Sequence, residues 1–280
     1  MERFRITKNQ IELFKQHLIE EERSRLTVDK YLRDIRAFQM FSGDGEITKQ
    51  DVIEYKRSLT TRYKDASTNS MVAALNSFFS FCGWVELKVK AIKIQRAIYA
   101  EPEKELSREE YSRLLHAAVQ HKNNRLNLVM QTICSTGIRV SELQYITVEA
   151  INVGRAMVLG KGKRRTVFLS PKLQSRLLKY VKQQKLTSGA VFLSRNGNPL
   201  NRHAIWADMK ALCAEAGVAP QKVFPHNLRH LFARTFYALE KDLLRLADIL
   251  GHSSINTTRV YTVECGSEHI KLLQKMPLLM

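Results

Sequence analysis

The chain has 280 residues, room for two domains at the usual ~150 residues each, and its 44% hydrophobic and 26% charged content excludes an intrinsically disordered chain, a collagen-like repeat and a disulfide scaffold. Forty-five Lys and Arg face 27 Asp and Glu, a net charge of +18; residues 1–100 hold 18 basic and 13 acidic side chains and the rest 27 and 14, so a polyanionic partner is predicted and a purely basic tail is excluded. Cys82, Cys134, Cys213 and Cys265 form no CxxC pair, the longest uncharged stretch (Ala66–Val85) is broken by Ser, Thr and Asn, and no apolar signal region follows Met1, so no metal centre, no disulfide framework and no membrane contact is expected of a soluble, cytoplasmic chain.

In chain order, four helices are predicted from their N-caps. Thr7 with Gln10 opens the first; Thr27 opens a run to Phe41; Thr48 with Asp51 opens the third; Ser67 or Thr68 opens the fourth. In the second, Tyr31, Leu32, Ile35 and Phe38 line one stripe at helical spacing. Residues 1–99 thus read as an N-terminal helical bundle. Residues 100–106, with Pro102 among charges, read as an exposed linker, and the Ser107/Glu110 capping box opens a second domain, 107–280.

That domain begins helical, with Gly137 ending one helix and Ser141 with Gln144 opening the next, which leaves Arg139 in the turn. From Ile151 to Ser170 the apolar period changes, predicting a β-hairpin around the tip Gly160-Lys161-Gly162-Lys163. Helix resumes at Ser170-Pro171, a turn falls at Asn196-Gly197-Asn198-Pro199, and Asn201 caps a helix ending at Gly217. From Pro225 the chain is helical again, broken at Gly251. The fold class is mainly α with a small β-hairpin: a helical bundle followed by a mixed α+β domain.

Taken singly, the polar motifs are ordinary. The GKGK tip lacks the Ser or Thr of a phosphate loop, and His226 with His230 cannot be a zincin pair, because Asn227 stands where that motif needs Glu. His226 and Arg229, three apart, do share one helix face and can grip one anionic group. His252 follows a helix stop and Tyr261 comes nine residues later. In sequence, however, TGIRVSEL, a Lys in a hairpin tip, HNLRH, LGH and Tyr together resemble the tyrosine recombinases, the phage-integrase family, in its simple two-domain Xer-like form. By that resemblance Arg139, Lys161, His226, Arg229, His252 and Tyr261 match the catalytic set, Glu142 matches its acidic supporting position, and the two domains form a DNA clamp.

The chemistry explains the residue types. A phosphodiester cut without metal needs fixed positive charge where the phosphorane forms, and guanidinium forks supply it. Tyr261 is then the nucleophile that leaves a 3′-phosphotyrosine, His226 the acceptor of its proton, Lys161 (or Lys163 nearby) the general acid for the 5′-oxygen, and His252 a donor to a phosphate oxygen. No cofactor or ATP is implied. Candidate phosphate contacts are Arg164, Arg165, Arg202 and Lys222 in the second domain and Lys30, Arg33, Arg62 and Lys64 in the first. The apolar tail, 262–280, implies by resemblance a homo-tetramer on two DNA sites joined by C-terminal exchange, acting on double-stranded DNA with inverted-repeat core sites. Two other readings predict different behaviour: a non-catalytic DNA-binding protein forms no covalent adduct, and a type IB topoisomerase-like enzyme relaxes arbitrary DNA.

Overall fold

A computed structural model describes residues 4–43, 45–94, 102–160, 163–262 and 274. The chain divides into two compact units, Met1–Arg96 and Ala97–Met280. Among the described residues no helix is long and apolar enough to cross a membrane.

The first unit holds α1 (Lys8–Glu20), α2 (Arg25–Ser42), α3 (Lys49–Arg62) and α4 (Asp65–Phe81). The boxes at Thr7/Gln10 and Thr48/Asp51 form as the sequence predicts, each side chain taking the other residue's backbone N–H. Two helix starts differ. Ser24, not Thr27, caps α2, accepting from the Thr27 N–H at 3.3 Å. Helix α4 begins at Asp65 with no side-chain cap, and Thr68 lies buried within it. Phe14, Ile35, Phe38, Phe78 and Phe79 are fully buried in the bundle core, each side chain contributing about 1.5–3 kcal/mol by burial. Phe14 meets Phe78 edge-on at 5.3 Å. Asn76 and Asn69 on α4 each exchange two hydrogen bonds with the backbone of Val89 and Ile92, which pins the chain leaving the bundle along that helix.

In the second unit, Glu103 and Lys104 of the expected linker are exposed, but Glu105 ion-pairs with Arg234 and Leu106 is fully buried. The exposed stretch is therefore shorter than its charges imply: Arg234 also donates to the Leu106 carbonyl at 2.6 Å, so the segment is docked before Ser107 and Glu110 cap α5 (Arg108–Gln120). The central helix α6 (Asn124–Thr136) is buried on nearly every side and packs against α11 (Pro225–Glu240). A 3-10 turn (Val140–Tyr145) and α7 (Val148–Val153) follow.

Ile151 and Val153, read as strand, belong to α7, because Thr147 accepts the Ala150 N–H and starts a helical turn there. The hairpin is β1 (Arg155–Gly160) antiparallel to β2 (Lys163–Phe168), in register from Arg155 opposite Phe168 to Gly160 opposite Lys163. Ala156, Val158 and Val167 face the core, and Met157, Leu159 and Phe168 face out. Then come α8 (Pro171–Gln183), α9 (Arg202–Ala211) and α10 (Cys213–Ala216); the single helix expected from Asn201 to Gly217 is broken at Leu212. After α11, the chain forms α12 (Leu243–Leu250), α13 (Ile255–Thr258) and a 3-10 turn (Arg259–Thr262).

Candidate active site

Three elements converge around the side chain of Arg229. It projects from α11 into the protein and is 1% exposed. Its Nη1 donates to the Gly137 carbonyl, and its Nη2 donates at 2.7 Å to the Leu250 carbonyl. Both acceptors sit at helix ends. Gly137 closes α6 with φ 64°, and Leu250 precedes Gly251, which closes α12 with φ 65°. Only glycine adopts that backbone cheaply, and a Cβ on Gly137 would stand 2.5 Å from the Phe232 ring. The partial negative charge of two helix C-termini thus meets a buried cation. Burial, then the charge of Arg139, lowers the Arg229 pKa to about 10, and the phenol of Tyr261 beside it opposes that shift. The guanidinium is a cation at neutral pH.

Arg139 enters from the turn after α6. Its backbone N–H goes to Glu142 Oε2 at 2.9 Å and its Nη1 to Glu142 Oε1 at 2.9 Å. The turn is therefore opened by Arg139 with Glu142, rather than by Ser141 with Gln144, because a buried carboxylate that meets a cation outbids a solvated amide. Glu142 is 2% exposed and takes a third bond, at 2.8 Å, from Arg165 Nη2. Gly160, at the end of β1, leaves room for it, since a Cβ there would lie 2.7 Å from Glu142 Oε1. A cleft of about 200 Å³ opens here, with Arg139, Gly160, Arg164, Arg165 and His252 in its walls.

His252 follows Gly251. Its Nε2 is 3.0 Å from Arg229 Nη2 and its Nδ1 is 2.8 Å from Thr258 Oγ1. Its ring stacks on Tyr261 at 5.9 Å, with 20° between planes. Tyr261 is buried with Ala233, Leu246 and Leu250. His226 lies at the exposed edge of the site, and its pKa is lowered by the surrounding protein first, then by Arg229, Arg139 and Arg202. Between His226 and Tyr261 sits His230, edge-on to both at 4.7 and 4.8 Å. Burial, followed by His226, Arg234 and Arg229, pushes its pKa down to about 4.

The structure therefore brings together Arg139, Glu142, His226, Arg229, His252 and Tyr261. Lys161 and almost all of the tail lie outside the described residues. The sequence motif offers His230 only as a zinc ligand that Asn227 rules out; its spacing of four from His226 on one helix face is the signal that places it in the site.

The candidate DNA contacts divide. Arg164, Arg202, Arg62 and Lys64 are exposed. Arg165 points inward, to Glu142 and the Ile249 carbonyl. Lys222 is paired with Glu110 at 2.9 Å, both half-buried. Lys30 and Arg33 both bind the buried carboxylate of Asp34, at 2.7 and 2.9 Å. Arg62 folds back onto the Ser58 carbonyl.

Comparison with known proteins places the chain in a family. The model of the phage integrase family matches residues 104–265, and that of the phage integrase N-terminal SAM-like domain matches residues 11–84. The tyrosine recombinase XerD of Staphylococcus haemolyticus is 29% identical over 267 residues, covering 87% of this chain and 90% of that one. Tyrosine recombinase XerA of Pyrococcus furiosus is 30% identical over 234 residues, covering 80% and 79%. Among solved structures, XerH bound to a palindromic difH substrate superposes with a TM-score of 0.73 at 22% identity, over 96% of this chain and 84% of that one. A lambda integrase dimer on a COC′ core site gives 0.73 at 19%, over 92% and 77%. These two likenesses establish the fold; the match of the catalytic-domain model over more than half of the chain establishes the kinship. The chain belongs to the phage integrase family, as one of its tyrosine site-specific recombinases.

Proposed function

We propose that this recombinase cuts and rejoins DNA at short inverted-repeat core sites, with Tyr261 as nucleophile and Arg139 and Arg229 as the clamp on the scissile phosphate. The observation that carries the reading is the meeting of Arg229, His252 and Tyr261, 32 residues apart at the extremes, within one shell: 3.0 Å from guanidinium to imidazole and 5.9 Å from imidazole to phenol ring.

The phenol oxygen of Tyr261 attacks phosphorus, its proton passes to the imidazole of His226, and the 5′-oxygen leaves with a proton from Lys161, giving a 3′-phosphotyrosine. Rejoining runs the same steps backwards, so the bond energy is conserved and ATP is not consumed. Because the His226 pKa lies below the ordinary histidine value, the ring is neutral at pH 7 and free to accept a proton. Arg229 meets the phosphorane with a charge already held in place by two backbone carbonyls, so little reorganisation is needed. His252 donates to a non-bridging oxygen once an anion enters and favours its protonated or turned-over form.

Around this chemistry, the two units close on DNA as a clamp, four copies work on two DNA sites, and the tail, 262–280, exchanges between neighbours; the protein acts in the cytoplasm. The exposed arginines Arg164 and Arg202 contact phosphate. The test begins by selecting the core site from a randomised duplex library with the full chain. Nicked duplexes of that site are then incubated with wild type and Tyr261→Phe and run on denaturing gels. A covalent adduct in wild type alone supports the reading; no adduct in either supports a pure binder, and relaxation of plasmids lacking the site supports a topoisomerase.

A further inference from the structure

A β-strand alternates its side chains between two faces, and on β2 the two neighbouring arginines obey that rule with opposite results. Arg164 is exposed. Arg165 shares the inward face with Val167 and stands opposite the fully buried Val158. Its side chain is 13% exposed, and its Nη1 is buried with no hydrogen-bond partner. Its other two guanidinium nitrogens are directed at the protein's own acceptors, Glu142 and the Ile249 carbonyl, and not along the outer face of the hairpin where Arg164 stands.

What Arg165 does touch is informative. Its Nη2 donates at 2.8 Å to Glu142 Oε2, the oxygen that also takes the Arg139 backbone N–H, while the other Glu142 oxygen holds Arg139 Nη1. Its Nε donates at 3.2 Å to the Ile249 carbonyl, in the last turn of α12. The stem passes so close beneath Gly251 that a Cβ there would lie 2.6 Å from Arg165 Cδ. One side chain on the hairpin therefore touches the support of Arg139 and the turn that delivers His252.

We infer that Arg165 is a positioning residue: it ties the hairpin, the Arg139–Glu142 pair and the His252 turn into one rigid unit, so that the phosphate clamp is set before DNA arrives. The inference rests on the recombinase reading of the cleft, and a tie of this kind affects the rate of cleavage rather than the affinity for DNA.

Arg165→Met and Arg165→Lys in the full chain separate the two roles. The probe is the duplex that the unsubstituted protein selects from a randomised library. A positioning role predicts an unchanged Kd and an unchanged slope of log K against log salt between 50 and 200 mM, with the single-turnover rate of adduct formation at saturating duplex falling at least tenfold in Arg165→Met and less in Arg165→Lys. A DNA-contact role predicts a slope smaller by about 0.9, weaker binding, and an unchanged rate at saturation; that result, or a variant unchanged in both respects, overturns the inference. If Arg165→Met does not fold, Arg165→Lys, which keeps the charge beside Glu142, carries both measurements. An unsubstituted protein that forms no adduct counts against the recombinase reading alone, and the salt slope then decides the case of Arg165.

Discussion

His252 Nε2 lies 3.0 Å from Nη2 of Arg229, and a guanidinium can only donate, so the imidazole is the acceptor. The ring is neutral, its proton sits on Nδ1, and that N–H donates to Thr258 Oγ1 at 2.8 Å. Burial first, then the charges of Arg229, Arg139 and Arg165, push its pKa down to about 4. The unfolded chain titrates this group near 6.5, so between pH 6.5 and 4 the unfolded state binds more protons and stability falls as pH falls. His226 and His230, both lowered, act in the same direction. Nitrogen-15 NMR should report the Nδ1–H tautomer of His252 at pH 7 and its loss only near pH 4. Thermal melts should show a smaller loss of Tm between pH 6.5 and 4 in His252→Asn than in wild type.

Arg229→Gln removes a buried cation and disturbs the donors to two helix-end carbonyls, Gly137 and Leu250. Stranded buried acceptors cost about 1–3 kcal/mol each. The variant should be less stable by roughly 2–4 kcal/mol in urea unfolding and should form no adduct. A Tyr261→Phe protein, which keeps the ring against Ala233, Leu246 and Leu250, should lose the adduct with little loss of stability.

Gly160→Ala tests the packing beneath Glu142. The backbone at Gly160 is not in the left-handed region, so the effect is steric alone: the new methyl falls 2.7 Å from Glu142 Oε1 and 3.6 Å from Arg139 Nη1. Overpacking of this kind costs about 1–3 kcal/mol. Adduct formation at saturating DNA should fall at least tenfold, while the salt dependence of binding stays as in wild type.

His230→Leu removes the imidazole that stands between His226 and Tyr261 while keeping an apolar side chain of similar reach. The rate of adduct formation should fall by about an order of magnitude, since a nucleophile displaced by even 1 Å loses much of its advantage. Its Kd for DNA should not move. A rate equal to wild type would reduce His230 to a packing residue.

Much of this architecture is written locally. The boxes at Thr7/Gln10, Thr48/Asp51 and Ser107/Glu110 are legible because both partners lie three residues apart and the chemistry is complete within one turn. Thr27 misleads because Ser24, just ahead of it, can do the same work, and α4 starts without any side-chain cap. Ile151 reads as strand because its alternation with Val153 is real; the Thr147 cap decides for helix. In the site, motif order is what singles out Arg139, His226, Arg229, His252 and Tyr261 as candidates. The inward turn of Arg165 was not legible, since its partners are Glu142, 23 residues back, and Ile249, 84 residues on. A basic residue in a basic hairpin looks like its neighbour until the fold assigns it a face. The same holds for Lys30 and Arg33, whose charge is directed at Asp34.

The anchoring of Arg229 to the last carbonyls of two helices also bears on how such a protein can decay. On the mechanism proposed above, a mutation at Tyr261 silences the chemistry and leaves the scaffold standing, whereas a mutation at Arg229 loosens the joint between α6, α11 and α12. A chain that turned from cutter to mere binder would therefore lose little of its fold with the phenol, but would lose part of its internal bracing with the guanidinium.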